Sequence, residues 1–126
     1  MTPTEVVARF VAEVLEGARP DSTDELVSSE ELRERARRLR LAFPDLGVET
    51  VVLLADGDLV AGHFVGRGTH EGIFNGVPPT GAAWEARFTA VYRVVNQRID
   101  DAWVTWDNLA LMEQLGAVER VSSVSA

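Results

Sequence analysis

The residues best suited to chemistry are concentrated in one alternating segment, Asp101-Ala102-Trp103-Val104-Thr105-Trp106-Asp107. Such alternation predicts a β-strand, in which odd-numbered residues share one face and even-numbered residues share the other. Because each face carries a tryptophan, we expect both faces to be covered. The face with Asp101, Trp103 and Asp107 is then expected to form the wall of a pocket. A carboxylate held in an apolar pocket has a raised pKa, which suits general acid/base catalysis near neutral pH.

Asp107 is the main candidate for the acid/base. The alternative is that Asp107 caps a following helix, since it directly precedes Asn108 and Leu109. Asp101 is separated from it by about 20 Å of extended strand, so the two carboxylates are not expected to form a tight pair. Asp101 is better interpreted as a polar residue at the rim.

Two histidines and four aromatic side chains are the other candidates for the site. His70 lies among glycines, so a loop there could aim it at a carbonyl group; the alternative is a structural hydrogen bond that fixes the loop. His63 lies on a predicted strand whose pattern does not distinguish the inner face from the outer one. Four aromatic side chains are interpreted either as the lining of a site for a flat apolar ligand or as ordinary core residues: Trp103, Tyr92, Phe88 and Phe74.

The composition excludes several classes of function. The 126 residues include no Cys and no Lys, which rules out a thiol nucleophile, a thiolate metal site and a lysine Schiff base. Two histidines without ligand spacing lead us to expect no metal site. The formal net charge of −8 argues against a nucleic-acid partner. Without a signal-peptide pattern or a long apolar run, we expect a cytoplasmic protein that does not bind membranes.

The first third of the chain is predicted to be helical. Thr2, Pro3 and Glu5 form a typical helix start, and an apolar stripe at helical spacing follows as far as Gly17. Residues 21–27 predict a short helical turn.

A second capping box, Ser28-x-x-Glu31, predicts a helix that ends at Pro44. Five arginines lie between positions 33 and 40 of this helix. They are interpreted as a solvated face, with an anion-binding patch as the alternative.

From residue 48 onward the pattern changes to strands. They are predicted over residues 48–54, 59–67, 84–95 and 99–107, with turns at 55–58, 78–81 and 96–98. A short helix over 109–115 follows, and residues 117–121 could add an edge strand. We expect a single domain over residues 1–121 and a frayed tail over 122–126.

Helices followed by hairpin-linked strands predict an α+β fold in which the helices cover one face of a curved antiparallel sheet. The wide end of such a cone is a common place for a ligand cavity. The expected ligand is a hydrophobic small molecule.

Several motifs, taken in order, form a recognisable set. They are residues 42–46 (AFPDL), 55–58 (ADGD) and 68–81 (GTHEGIFNGVPPTG), then D-x-W at 101–103, WDNL at 106–109 and QLG at 114–116. The set resembles the signature of the SnoaL-like polyketide cyclase (ester cyclase) family, and it covers residues 40–117.

The resemblance implies the cone fold of the nuclear transport factor 2-like superfamily, usually as a homodimer. It also implies ring closure of polyketide esters by intramolecular aldol condensation, without cofactor or metal. In this family an aspartate on the last strand is taken as the acid/base, and that role falls on Asp107 here. The predicted site thus has Asp107 and His70 as catalytic residues, with Trp103, Tyr92, His63, Phe74 and Phe88 contacting substrate.

One segment departs from the family pattern. Family members usually have a strand between the first helix and the A-F-P-D helix, whereas only residues 21–29 bridge that interval here. The departure predicts a shortened pocket wall. Two other functions are therefore considered: a non-catalytic binding or accessory domain, and a water-activating enzyme such as an epoxide hydrolase.

Overall fold

The computed structural model of the chain describes residues 1–119. The helices are α1 (Pro3–Arg9), α2 (Thr23–Leu26), α3 (Glu30–Ala42) and α4 (Asn108–Gln114). A π-helical segment (Phe10–Leu15) continues α1, and a 3₁₀ turn (Pro20–Ser22) precedes α2. The strands are β1 (Gly47–Asp56), β2 (Leu59–Thr69), β3 (Ala83–Val95) and β4 (Arg98–Trp106). The predicted α+β order is confirmed.

The first helix begins as its sequence predicts. The Thr2 hydroxyl oxygen accepts a hydrogen bond from the Glu5 N–H at 3.2 Å, and Pro3 occupies the first turn. In the π-helical segment the Glu16 N–H donates to the Val11 carbonyl, five residues earlier, at 2.9 Å. The wider turn buries four of its six residues against the sheet: Phe10, Val11, Val14 and Leu15.

Helix α3 begins one residue later than predicted. Ser29, and not Ser28, is the cap, because its hydroxyl oxygen accepts the Leu32 N–H at 3.3 Å. The Ser28 N–H instead donates to the Ile99 carbonyl at 2.9 Å, beside a parallel bridge between Val27 and Ile99. The short segment between α2 and α3 therefore pairs with the edge of β4 through a single bridge and forms no strand there.

The four strands form one antiparallel sheet in the order β1-β2-β3-β4. Gly57, with φ +61°, makes the first hairpin turn, and Asn96 and Gln97 make the last one with φ of +51° and +62°. Strand β3 alternates strictly, with its even-numbered residues buried from Trp84 to Val94. These side chains and the apolar sides of the helices form the core.

A bulge between Arg93 and Val94 shifts the pairing of β3 with β4. On one side of it Ile99 faces the helices. On the other side Ala102, Val104 and Trp106 face the helices, and Asp101 and Trp103 face outward. The segment 117–119 forms no strand. The rest of the predicted edge strand, and the predicted tail at 122–126, lie outside the described residues.

Candidate functional site

An apolar cavity of about 140 Å³, here called the inner cavity, lies between helix α3 and the inner face of β3 and β4. The π-helical segment closes it on a further side through Phe10 and Leu15. Twelve residues line it: Phe10, Leu15, Leu32, Arg35, Ala36, Leu39, Phe88, Tyr92, Ile99, Ala102, Val104 and Trp106.

Stacked aromatic rings form one wall of the inner cavity. The Phe88 ring stacks on Trp106 at 4.2 Å between centroids and on Phe64 at 4.7 Å. Gly66 leaves room for this arrangement, since a Cβ there would lie 3.1 Å from the Trp106 ring. Because these rings support one another, this aromatic wall is firmly held.

Tyr92 and Arg35 supply the polar groups of the inner cavity. Tyr92 is only 3% exposed, and its burial raises the pKa of the phenol, an effect that the positive charge of Arg35 partly offsets. The hydroxyl therefore stays protonated at neutral pH and can donate a hydrogen bond. Within residues 1–119, the lining of the inner cavity includes neither a carboxylate nor an imidazole.

A larger outer depression of about 940 Å³, here called the vestibule, adjoins the inner cavity. The two share four lining residues, Arg35, Leu39, Val104 and Trp106. The rest of the vestibule is formed by the C-terminal half of α3, the loop at 72–76, Thr105 and Asn108, and it includes Arg38. Arg35 thus lies where the two spaces meet.

Three of the predicted contact residues lie at these spaces. Tyr92 and Phe88 line the inner cavity, and Phe74 lines the vestibule with its ring 4.9 Å from Phe43. The structure therefore brings Tyr92 and Phe88 together on β3, whereas Phe74 lies in the vestibule, outside the inner cavity.

Asp107 caps helix α4. Its Oδ1 accepts the Ala110 N–H at 3.2 Å, and its own N–H donates to the Arg87 carbonyl at 3.0 Å. The side chain is exposed and is not part of the lining of either space, although the neighbouring Trp106 and Asn108 line the vestibule. The capping role considered from sequence is confirmed, whereas the acid/base role stays a prediction.

Trp103 lies on the outer face of the sheet, so the expectation that its face of β4 forms the pocket wall was wrong. His63, whose face the sequence left open, also lies on the outer face. Trp103 is 53% exposed, and the His63 Nε2 lies 3.2 Å from a guanidinium nitrogen of Arg87. The error has a simple cause: with a tryptophan on each face of β4, alternation alone does not identify the inner face. Asp101 also faces outward, where its carboxylate accepts the Ala102 N–H at 2.8 Å.

His70 is fully buried outside both spaces. Its Nδ1 accepts the Thr80 N–H at 3.3 Å and lies 2.9 Å from the Thr80 hydroxyl. Its ring packs near Phe43, at 6.0 Å between centroids. These contacts fix the loop between β2 and β3, which is the structural alternative considered from sequence.

The motifs at 42–46 and 68–81 meet and hold each other in place. The Asp45 carboxylate accepts the Thr69 hydroxyl at 2.7 Å and the Thr69 N–H at 2.8 Å, and these bonds lower the pKa of Asp45. The Ala42 carbonyl accepts the N–H groups of Glu71 and Gly72 at 3.0 and 3.1 Å. We refer to this contact between the two motifs as the motif clamp.

Two residues of the inner cavity, Arg35 and Trp106, were not predicted from the sequence. Arg35 flanks the apolar stripe of α3, three residues after Leu32 and four before Leu39. That spacing was a usable signal, because such a residue lies beside the buried face of a helix. Trp106 would have followed from the bulge at Asp100 in β4, which the sequence does not reveal.

Two other kinds of site are absent from the described part of the chain. Among residues 1–119, no group of three or more His, Asp or Glu side chains is arranged to hold a metal ion. No helix in the same range has the length and apolar character needed to cross a membrane.

A curved antiparallel sheet closed by N-terminal helices around an apolar cavity is the α+β cone of nuclear transport factor 2-like proteins. Within that class, the chain belongs to the SnoaL-like polyketide cyclase family, whose model matches residues 3–115. No curated protein matches the chain.

Solved structures share this fold over nearly the whole chain. TsrD from Streptomyces laurentii has a TM-score of 0.79 and 22% identity, covering 90% of this chain and 94% of its own. IdmH from Streptomyces antibioticus, a candidate polyketide cyclase, has a TM-score of 0.77 and 26% identity, covering 92% and 99%. AclR from Streptomyces galilaeus, a candidate hydroxylase, has a TM-score of 0.79 and 24% identity, covering 97% and 85%. Because candidate cyclases and a candidate hydroxylase share the fold, the fold by itself does not determine the reaction.

Proposed function

We propose that the chain is a cofactor-independent cyclase or related isomerase that acts on a polyketide-like small molecule. The observation that carries the proposal is the inner cavity itself, an apolar space with a wall of stacked aromatic rings and one protonated phenol, in a member of this family. The rings of the substrate would lie against Phe88 and Trp106, and the remainder would extend into the vestibule.

The proposed reaction is an intramolecular aldol ring closure. A base removes the proton from the carbon next to the ester carbonyl, and the resulting enolate carbon forms a bond to a second carbonyl carbon. That carbonyl oxygen then takes up a proton. The protonated Tyr92 hydroxyl is suited to donate a hydrogen bond to a developing oxyanion.

Asp107 is proposed as the base because the family resemblance assigns that role to it. Its position between two vestibule residues, Trp106 and Asn108, supports access to substrate from the vestibule side. In this role the carboxylate would have to leave the Ala110 N–H, so the helix cap and the chemistry compete for one side chain.

Substitution by asparagine separates the two roles of Asp107, because asparagine caps helices as well as aspartate does but cannot act as a base. The assay follows ring closure of an aromatic polyketide methyl ester with an open keto side chain by mass spectrometry. We expect Asp107→Asn to lower turnover by about 100-fold or more, as for loss of a general base. Asp101→Asn, on the outer face of the same strand, is the matched control and should retain wild-type turnover. Unchanged turnover in Asp107→Asn would leave Asp107 as a cap only.

A second candidate function is non-catalytic binding of the same kind of ligand. It is favoured by the lack of a carboxylate or imidazole in the inner-cavity lining within the described residues. Saturable binding of the ester to the wild-type chain, without ring closure under any condition tested, would support this function over the first.

We also propose a homodimer formed through the outer face of the sheet. This face exposes apolar side chains on three strands: Val52, Leu54, Leu59 and Trp103 are 46%, 67%, 41% and 53% exposed. A second copy would bury them, since contiguous exposed apolar surface of this kind marks interaction sites.

Sedimentation velocity tests the assembly. The double variant Leu54→Lys/Trp103→Lys should sediment as a monomer, because it places charges in the proposed interface. Leu109→Lys, at a residue that is 55% exposed on α4, is the control and should stay dimeric. A monomeric wild-type chain, or a dimeric double variant, would contradict this interface.

A further inference from the structure

The charge around the cavity is opposite to that of the whole chain. The sequence has 20 acidic and 12 basic residues, which gives a net charge of −8. Within residues 1–119, however, the charged residues that line the inner cavity and the vestibule are Arg35 and Arg38, with no Asp or Glu. A positive lining in an acidic protein favours an anionic ligand at this place.

Arg33, Arg37 and Arg38 of α3 each have a carboxylate within 4.0 Å, whereas Arg35 has none within residues 1–119. Arg37 pairs with Glu34 at 2.7 Å, and Arg33 lies 3.7 Å from the Asp24 carboxylate. The interaction of Arg35 among the described residues is electrostatic, with the phenol of Tyr92. Its five N–H donors are therefore available to a ligand.

The size of the inner cavity indicates what part of a ligand it holds. Its volume of about 140 Å³ is close to the roughly 150 Å³ of an apolar cavity that binds benzene. It therefore accommodates about one aromatic ring, while the rest of the ligand occupies the vestibule. A group attached to that ring lies where the two spaces meet, beside Arg35.

We infer that the ligand carries a carboxylate on a compact apolar ring system, and that Arg35 selects this carboxylate at the junction of the inner cavity and the vestibule. The guanidinium fork fits a carboxylate in bidentate fashion. The inference rests on the proposed use of the cavity as the ligand site and adds the ligand's charge to it.

The test compares two probes of nearly equal shape, 2-naphthoate and the neutral 2-naphthamide. Binding is measured by titration calorimetry, and the site is identified by NMR shifts of the Ala102 and Val104 methyl groups in the inner cavity. We expect the wild-type chain to bind naphthoate about tenfold more tightly than naphthamide, as for one partly solvated charge-assisted pair. Added salt should reduce this ratio.

Three variants test whether Arg35 causes the preference for naphthoate over naphthamide. Arg35→Gln should bring the ratio of the two affinities to about one, and Arg35→Lys should restore part of it, since lysine keeps the charge but loses the fork. Arg37→Gln removes the same charge from the same helix, at a residue that lines neither space, and should leave the ratio unchanged.

The outcomes separate this inference from the proposed function. If both probes shift the cavity methyl groups with equal affinity, the cavity binds ligands but the inference on charge is overturned. If Arg37→Gln lowers the ratio as much as Arg35→Gln, the preference comes from the general charge of the helix and the inference is also overturned. If neither probe shifts these methyl groups, both the inference and the proposed ligand site are contradicted.

Discussion

Gly72→Ala is expected to be severely destabilising, because Gly72 crosses the end of helix α3 with no room for a side chain. A Cβ at this position would lie 2.2 Å from the Leu41 carbonyl oxygen and 3.1 Å from the Ala42 Cα. The atoms that it meets belong to the backbone, so no rotamer change can relieve the overlap. The loop has to move away from the helix by roughly 1 Å to restore an ordinary contact.

The cost follows from what that movement breaks. The Glu71 and Gly72 N–H groups both donate to the Ala42 carbonyl, at 3.0 and 3.1 Å. Each such bond contributes about 1 kcal/mol net, and overpacking adds about 1–3 kcal/mol. The expected loss is therefore about 3–5 kcal/mol, a large part of the 5–15 kcal/mol typical of whole domains. For a chain of this length it corresponds to a fall in Tm of about 10–20 °C.

Urea unfolding followed by circular dichroism measures this loss, and Gly47→Ala is the matched control. Gly47 begins a strand, and a Cβ added there would have nothing within 4 Å, so its substitution should be neutral or slightly stabilising. A free energy of unfolding for Gly72→Ala within about 0.5 kcal/mol of that of Gly47→Ala, the ordinary scatter of surface substitutions, would refute the steric argument.

Three further predictions follow from single contacts. Asp107→Ala should lower the free energy of unfolding by about 1 kcal/mol through loss of the α4 cap, whereas Asp107→Asn should lower it by only a few tenths; equal losses in urea unfolding would contradict the cap. Hydrogen bonds from Arg9 and Ser22 lower the pKa of Glu13 from 4.5 to about 2, so the stability they give is present above pH 4.5 and is lost as the pH falls towards 2. Glu13→Gln should flatten this part of the pH–stability curve, while Glu31→Gln, at an exposed site on α3, should not. Gly66→Ala places a methyl group 3.1 Å from Trp106, so it should press the ring towards the inner cavity and weaken binding of 2-naphthoate relative to Gly47→Ala.

The helices and hairpins could be predicted because local signals determine them. Thr2 caps α1 as its sequence indicates, and Gly57 makes the turn between the first two strands. The start of α3 was misplaced by one residue because Ser28 pairs with Ile99, a contact 71 positions away along the chain. Local patterns carry no information about such a long-range hydrogen bond.

The inner face of β4 could not be predicted from its own residues. Trp103 and Trp106 lie on opposite faces, and the choice between them depends on the bulge at Asp100 in β4 and on which face the helices cover. The same limit applies to Arg35, which sequence analysis grouped with four other arginines of a charged helix. Its position over the cavity follows from the rotation of α3 against the sheet, which tertiary packing sets.

The residues that identify the family and the residues that line the cavity are largely different sets. Asp45, Thr69, His70 and Gly72 form or support the motif clamp, and none of the four lines the inner cavity. The clamp acts on the site from a distance, through the contact of Phe43 with Trp84 at 4.6 Å and of Trp84 with Trp106 at 5.9 Å. Family membership therefore accounts for the framework that holds the aromatic wall, whereas Arg35, Phe88 and Tyr92 of the inner cavity lie outside the family signature. A measurement of the charge preference at Arg35 is therefore expected to say more about the substrate of this chain than the signature does.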